Sequence, residues 1–215
     1  MKSKKRTKSS RQWLDEHFRC QYVQAAQKEG YRSRAVYKLD AIQVKDRILK
    51  PGDVVVDLGA APGGWSQYAT KVIGSKGAVF ALDILPIQPL AGVKIMKGDF
   101  TSDEIYQELL TTLAGREVNA IISDLAPNMS GMSAVDQPKA MYLVELALAF
   151  AEQVLVTGGS FVTKCFQGEG FDNFLRDMRQ KFNQVLIRKP PASRPRSREV
   201  YLVGKEFLAK DLEKC

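Results

Sequence analysis

Five ionisable side chains follow the ends of successive β-rich runs in this sequence. Asp57, Asp83, Asp99 and Asp124 come at or just after the first four runs, and Lys164 lies near the end of the fifth. In an open α/β sheet, ligands bind outside the carboxyl ends of the strands. Charged groups at so many successive strand ends therefore predict a polar binding or catalytic site along one rim of a single sheet.

A glycine-rich loop follows the first of these strands, in the segment DLGAAPGGW of residues 57–65. A nicotinamide-binding loop would read G-x-G-x-x-G, whereas the glycines here are Gly59, Gly63 and Gly64. Pro62 removes one backbone N–H donor that a diphosphate would need. The loop therefore favours a nucleoside ligand without a diphosphate, a description that fits S-adenosylmethionine (SAM).

Two acids extend this predicted cofactor site beyond the loop. Asp83 lies twenty residues after Gly63, where an acid binds ribose hydroxyls. Asp57 is placed to hold the amino-acid end of SAM, directly or through water. The structural alternatives are that the glycine-rich loop is only a tight turn and that an aspartate at a strand end is only a helix N-cap. The residues themselves thus predict a cofactor-binding set of Asp57, Gly59, Pro62, Gly63, Gly64 and Asp83.

The elements that must position these residues alternate between strands and helices. The predicted strands are residues 53–58, 78–83, 93–97, 118–124, 160–166, 184–189 and 199–203. The predicted helices are residues 33–43, 65–73, 103–113, 138–156 and 171–181, with Gly158 and Gly159 ending the fourth. This alternation predicts an α/β fold with a mostly parallel, doubly wound sheet. Residues 190–198 are too short for a parallel crossover, so the last two strands should form an antiparallel hairpin.

Composition bounds the class of protein. The chain has 215 residues, 45% of them hydrophobic, and predicts one domain at residues 31–204, a basic arm and lead-in at 1–30 and a tail at 205–215. We expect no membrane span and no secretory signal. Cys20, Cys165 and Cys215 are odd in number and scattered, which favours a reducing compartment, here the cytoplasm, and with a single histidine predicts no metal site. We expect a monomer.

Basic residues concentrate in two segments, residues 2–11 and 188–198. The formal net charge of +8 suggests a polyanionic partner, although each segment could also be a solvated tail. The second segment is interrupted by prolines, so it should be a loop rather than a helix face. If this polyanion is RNA, the predicted contacts are Lys5, Arg6, Arg32, Arg34, Arg194, Arg196 and Arg198.

Several longer motifs, in order along the chain, carry a family resemblance. They are SRAVYK (33–38), DLGAAPGGWSQ (57–67), SDLAPNMSG (123–131), AMYLVELA (140–147), VTKCFQGEG (162–170) and SRPRSREVY (193–201). With these motifs the chain resembles the FtsJ/RrmJ ribosomal RNA 2′-O-ribose methyltransferases from near its start to about residue 204.

The resemblance implies a SAM-dependent methyltransferase fold, with a seven-stranded sheet whose last strand runs antiparallel. It implies that SAM, converted to S-adenosylhomocysteine, contacts Gly63, Trp65, Asp83, Asp99 and Asp124. It further implies a catalytic set of Lys38, Asp124, Lys164 and Glu199. The substrate so implied is a uridine in the A-loop of large-subunit ribosomal RNA, methylated in the assembled 50S particle.

The predicted strand directions bear on this catalytic set. Glu199 opens the antiparallel strand, so it should reach the same rim as Asp124 and Lys164. Lys38 must fold over that rim from a helix before the sheet. Lys164 could act as a base with a lowered pKa, or as an ammonium that steers the hydroxyl and stabilises its developing charge. The sequence leaves both roles open. A 2′-hydroxyl target excludes DNA.

Other functions remain as alternatives. Cytosine-5 methylation needs a nucleophilic cysteine after the fourth strand, and amino-group methylation favours a Pro-Pro-aromatic motif there. The chain has Ala126, Pro127 and Asn128 instead. A SAM-sensing RNA-binding assembly factor is disfavoured by the complete catalytic set, and a nicotinamide-dependent oxidoreductase by the glycine spacing.

Overall fold

The computed structural model describes residues 21–194 and 196–208. Its helices are α1 (Gln21–Lys28), α2 (Val36–Asp46), α3 (Gly64–Ile73), α4 (Asp103–Leu113), α5 (Ser133–Val154) and α6 (Phe171–Lys181). Among these described helices, none combines the length and the apolar character needed to cross a membrane. The helix α1 precedes the predicted domain and was not expected from the sequence.

Seven strands form one sheet in the order β3-β2-β1-β4-β5-β7-β6. They are β1 (Val54–Leu58), β2 (Ala78–Asp83), β3 (Val93–Lys97), β4 (Val118–Ser123), β5 (Leu155–Phe166), β6 (Phe182–Arg188) and β7 (Glu199–Phe207). Strand β7 runs antiparallel to both β5 and β6, and the strands from β1 to β5 pair in parallel. The predicted fold class and the closing hairpin are confirmed.

Helices cover both faces of the sheet, so the central strands are buried on both sides. Alternate residues of β1 show this division. Val56 and Leu58 pack with α4, α5 and α6, while Val55 packs with α2 and α3. Asp57 shares the face of Val55 because side chains alternate along a strand. The predicted site residues on this face therefore meet α2 and α3.

The boundary between α5 and β5 differs from the sequence expectation. Helix α5 begins at Ser133, ahead of Pro138, and ends at Val154. Gly158 and Gly159 then lie within β5, where the register with β4 shifts, instead of ending the helix. Gly158 has φ +83° in this bulge. The glycine pair therefore marks an irregular strand. The periodicity of the sequence does not distinguish such a bulge from the end of a helix.

Candidate active site

The fourth and fifth strands end in an ion pair on the face that α2 and α3 cover. Asp124 directly follows β4, and Lys164 lies two residues before the end of β5. The Nζ atom of Lys164 is 3.1 Å from Asp124 Oδ1 and donates a 2.7 Å hydrogen bond to the Asp124 carbonyl oxygen. An ammonium has three hydrogens, so one remains available for a ligand oxygen.

A second ion pair lies beside the first. Glu199 opens β7 opposite Phe166, the last residue of β5, because β7 runs antiparallel. Its Oε1 atom is 2.8 Å from Lys38 Nζ, which α2 carries over the rim. The hydroxyl of Ser193 donates a 2.8 Å hydrogen bond to the same oxygen. The structure therefore brings Lys38, Asp124, Lys164 and Glu199 together at one edge of the sheet.

Tyr201 connects the two ion pairs and was missed in the sequence. Its side chain is fully buried, and its hydroxyl donates a 2.7 Å hydrogen bond to Asp124 Oδ1. The Nζ atom of Lys38 lies 5.6 Å from the centroid of its ring. Tyr201 follows Glu199 by two residues on the same strand, so the two side chains share a face. That spacing was the available signal.

The lysines determine the charge state of Asp124. Burial by itself would raise the pKa of its carboxyl group, but attraction to Lys164 and Lys38 and hydrogen bonds from Tyr201 and Lys164 lower it below the usual value. Burial and the nearby charges of Asp124 and Glu199 raise the pKa of Tyr201 well above its usual value. Asp124 is thus a carboxylate at neutral pH, whereas Tyr201 keeps its proton as a hydrogen-bond donor.

Asp57, at the centre of the rim, has no such cationic partner within residues 21–194 and 196–208. Its side chain is fully buried, and the Ser66 hydroxyl donates a 2.6 Å hydrogen bond to Oδ2. Its Oδ1 atom has no hydrogen-bond partner among the described residues. Burial, opposed by the Ser66 bond and reinforced by Asp124 and Asp83, raises the pKa of Asp57 to about 7. Such a carboxyl group is suited to a ligand that brings a positive charge.

The other two acids of this half of the rim accept hydrogen bonds from the loops around them. Asp83 accepts 2.8 Å hydrogen bonds from the backbone N–H groups of Ala61 and Leu85. Asp99 accepts hydrogen bonds from both the backbone N–H and the hydroxyl of Thr101. Carboxylate oxygens have further lone pairs, so both acids can still accept hydrogen bonds from ligand hydroxyls or amines.

The glycines of the loop after β1 are required by contacts within the protein. A Cβ atom on Gly59 would lie 2.8 Å from the backbone nitrogen of Leu125, and Gly59 has φ +75°. One on Gly63 would lie 2.9 Å from a Leu90 methyl group, and one on Gly64 would lie 2.9 Å from the Ser33 hydroxyl. The loop is therefore packed between neighbouring segments.

Trp65 and Pro62 have different environments. The Trp65 side chain is 3% exposed, its indole N–H donates a 2.7 Å hydrogen bond to the Ala35 carbonyl, and its ring packs on Tyr201. These contacts fix the start of α2, so the indole has a structural role in addition to any contact with a ligand. Pro62 is exposed and follows a cis peptide bond.

Comparisons with known proteins show the family of this chain. The FtsJ-like methyltransferase family matches residues 31–207. A protein of Alkalilimnicola ehrlichii named ribosomal RNA large subunit methyltransferase E is 58% identical over 96% of this chain and 99% of its own length. The chain belongs to the FtsJ-like methyltransferase family. A relative of the same name from Cellvibrio japonicus is 56% identical over 94% of this chain and 96% of its own length.

Solved structures agree with the fold of this FtsJ-like methyltransferase. A Plasmodium falciparum protein described as a ribosomal RNA methyltransferase superposes with a TM-score of 0.75 at 28% identity, over 84% of this chain and 100% of that one. Fibrillarin from Aeropyrum pernix, solved with bound SAM, gives a TM-score of 0.55 at 16% identity, over 79% of this chain and 75% of that one. The second likeness shows the shared fold alone.

The arginines near the rim of this FtsJ-like methyltransferase make contacts within the protein. The Arg32 guanidinium donates hydrogen bonds to the carbonyl oxygens of Pro62 (3.1 Å), Gln88 (2.7 Å) and Pro89 (2.9 Å). It therefore links the loops that follow β1 and β2, a role within the fold that was not predicted from the sequence, where Arg32 was expected to contact RNA.

The remaining predicted RNA contacts fall in three places. Arg34 donates to the Ala192 carbonyl and Arg198 to the Ser133 hydroxyl, so both brace the loop before β7. Arg194 is half-buried and Arg196 exposed in that loop. The predicted contacts in the basic arm, Lys5 and Arg6, lie outside the described residues.

Proposed function

We propose that this chain is a SAM-dependent methyltransferase that methylates the ribose 2′-hydroxyl of a uridine in the A-loop of large-subunit ribosomal RNA, in the assembled 50S particle. One observation carries the proposal. Two lysine–carboxylate pairs, Lys164–Asp124 and Lys38–Glu199, lie at the carboxyl ends of the strands beside three acids without an ion pair within the described residues, Asp57, Asp83 and Asp99.

The chemistry of these acids supports SAM as the cofactor. The buried Oδ1 atom of Asp57 lacks a hydrogen-bond partner among the described residues, which suits the ammonium of the amino-acid end. Asp83 is the residue proposed to hold the ribose hydroxyls and Asp99 the adenine, with the loop from Gly59 to Trp65 enclosing the cofactor. When bound, SAM would supply a methyl group activated by a positively charged sulfur, and the rest of the cofactor would be the leaving group, a neutral thioether.

Lys164 and Asp124 would act on the attacking hydroxyl. Asp124 is a carboxylate that holds the Lys164 ammonium at 3.1 Å, and the remaining hydrogen of that ammonium can bind the hydroxyl oxygen. That contact orients an oxygen lone pair toward the methyl group and stabilises negative charge as it develops. The hydroxyl proton becomes more acidic as the new O–C bond forms, so Asp124 or solvent can accept it.

Lys38, Glu199 and Tyr201 would hold this arrangement in place. Glu199 fixes Lys38 over the rim, and Lys38 contributes a second positive charge that keeps Asp124 ionised. The fully buried Tyr201 donates a hydrogen bond from its hydroxyl group to Asp124. We propose that Lys38 contacts the nucleotide that reacts and that Tyr201 positions Asp124.

The substrate class rests on charge and on the relatives. The relatives that are 56–58% identical are named ribosomal RNA large subunit methyltransferase E. A ribose target is favoured over a base carbon, since Cys165 is buried on the opposite face and burial raises the pKa of its thiol to about 12. Lys5, Arg6, Arg34, Arg194, Arg196 and Arg198 are proposed to contact RNA phosphates, and the protein is proposed to act as a cytoplasmic monomer on RNA.

Transfer of tritiated methyl groups to undermethylated large ribosomal subunits, followed by nucleotide mapping, tests this function. We expect one 2′-O-methylated uridine in the A-loop. Calorimetric titration should detect binding of SAM and none of NADH. Methylation of a base, or no incorporation into particles or free ribosomal RNA while SAM binds, would reject the proposed reaction.

A further inference from the structure

The face of the sheet covered by α1, α2 and α3 presents an exposed basic surface. Within residues 21–77, Glu29 is the single acidic residue with an exposed side chain. The exposed basic side chains of the same residues form what we call the basic flank: Lys28, Lys45, Arg47, Lys50, Lys71 and Lys76. This surface is separate from the loop of residues 190–198, so it is not the basic segment that the sequence singled out.

The flank is basic because the other acids of this side are engaged within the fold. Asp46 is 4% exposed and forms a two-pronged ion pair with Arg188, at 2.7 and 2.9 Å. Asp40 accepts a 2.8 Å hydrogen bond from the Tyr68 hydroxyl, and Asp53 accepts one from the backbone of Lys50. Asp46 is therefore buried with its charge paired, and Asp40 and Asp53 are partly buried, whereas the lysines of the flank are exposed.

The opposite face has the reverse balance. Helices α4, α5 and α6 with their connecting loops expose four basic side chains, Arg116, Lys139, Arg176 and Arg179. They expose more acids: Asp103, Glu104, Glu108, Glu117, Glu145, Glu169, Asp172 and Asp177, together with Asp99 at the rim. The basic flank is thus a property of one face, and it does not simply reflect the net charge of +8.

The flank is continuous with the active site. Helix α2 carries Lys38 near its start and Lys45 near its end, and its eleven residues span about 16 Å. Beyond it, Lys50 and Lys76 precede β1 and β2, and a 2.8 Å hydrogen bond from Gly52 N–H to the Ile73 carbonyl holds these two loops together. Positive charge therefore runs from the reacting rim to the opposite edge of the sheet.

We infer that the basic flank binds the phosphate backbone of ribosomal RNA away from the reacting nucleotide, while the acidic face of α4, α5 and α6 points away from the particle. This inference rests on the proposed function. Exposed lysines at the ends of helices contact phosphates without reading bases. A surface of this kind would orient the enzyme on a large folded RNA, with a contact area wider than the active-site cleft.

Two variants with the same net charge test the inference. One replaces Lys45→Gln, Lys50→Gln and Lys76→Gln in the flank, and the other replaces Lys139→Gln, Arg176→Gln and Arg179→Gln on the acidic face. Binding to purified undermethylated large ribosomal subunits and to free large-subunit ribosomal RNA is measured at several salt concentrations. Calorimetry with SAM and circular dichroism report on cofactor binding and folding.

We expect the flank variant to bind the particle about tenfold more weakly and its salt slope to fall by about 3, since each of the three lost phosphate contacts removes about one unit. KM for the particle should rise, with kcat and SAM affinity unchanged. The acidic-face variant should match the wild-type protein. Equal effects of the two variants, or no effect of either, would overturn the inference.

If the flank variant binds more weakly with an unchanged salt slope, the partner of the flank is a ribosomal protein. That result would also reject the inference. The proposed function fails separately, if the wild-type protein binds the particle but methylates no ribose.

Discussion

The two halves of the sheet rim solve different electrostatic problems. At the ends of β1, β2 and β3, Asp57, Asp83 and Asp99 accept hydrogen bonds from neutral groups nearby and form no ion pair in the described part of the chain. At the ends of β4, β5 and β7, by contrast, each carboxylate is matched by a lysine, as Asp124 is by Lys164.

This difference teaches how one rim can hold a cation and activate a neutral nucleophile. Unmatched acids leave a negative potential that a positively charged cofactor can neutralise. Matched pairs leave little net charge, and they hold donors and acceptors at fixed distances for a hydroxyl group whose charge changes only during the reaction. Exchanging the two arrangements would weaken both tasks.

The largest expected effect comes from breaking a pair in the matched half. Lys164→Ala should lower kcat for methyl transfer by about 100- to 10,000-fold, because it removes the donor to the attacking oxygen. SAM affinity should change little, since Lys164 is not among the proposed cofactor residues. Single-turnover transfer of tritiated methyl groups, together with calorimetry, measures the two quantities.

Lys181→Ala is the matched control for that variant. It also breaks a lysine–carboxylate pair, with Glu152 at 3.0 Å, but both side chains are substantially exposed and lie on the opposite face. Its activity should equal that of the wild-type protein. A Lys164→Ala enzyme that retains most of its activity would contradict the proposed mechanism.

In the unmatched half, Asp57→Asn should weaken SAM binding by roughly 10- to 100-fold, the range expected for a lost hydrogen bond to a charged group. The same change should stabilise the free protein above pH 7 by about 1–3 kcal/mol, since it removes a buried negative charge. Calorimetry measures the first effect and urea denaturation the second.

The pH dependence sharpens this prediction. The folded protein holds a proton on Asp57 up to about pH 7, whereas an unfolded aspartate releases it near pH 3.8. Wild-type stability should therefore fall as pH rises through this interval, relative to the variant, and the gain from Asp57→Asn should shrink at pH 5. Asp103→Asn, at an exposed position, serves as the control. A gain that is constant from pH 5 to pH 8 would count against the assignment.

The smallest expected effect comes from the link between the two cofactor loops. Arg32→Ala should weaken SAM binding by roughly three- to tenfold, because three hydrogen bonds to the loops after β1 and β2 are lost. The salt slope for RNA binding should be unchanged, in contrast to an arginine that contacts phosphate. Arg179→Ala, on the acidic face, controls for the loss of one charge. A reduced salt slope with normal SAM affinity would restore Arg32 to the RNA-binding set.

The sheet and its rim could be predicted because they depend on local signals. Short apolar runs mark buried strands, and the direction of the last strand follows from the short segment before it, which is enough to bring Glu199 to the rim. The same reasoning failed at Gly158 and Gly159, because a glycine pair can mark a bulge or a helix end equally well.

Partners that are distant in sequence could not be predicted. Three contacts depend on three-dimensional packing. Arg32 donates to carbonyl groups of two loops, Trp65 donates to Ala35, and Tyr201 lies between two ion pairs. Arginine in particular is ambiguous, since its guanidinium binds backbone carbonyls as readily as phosphates.

Gly59 gives the two halves of the rim a common boundary. Its Cα faces the backbone of Leu125, the residue after Asp124, with no side chain between them. The distance between the loop after β1 and the segment that carries Asp124 is consequently set by two peptide chains in direct contact. A single added methyl group there would act as a spacer between the proposed cofactor loop and the proposed catalytic pairs, without altering any of their charged side chains.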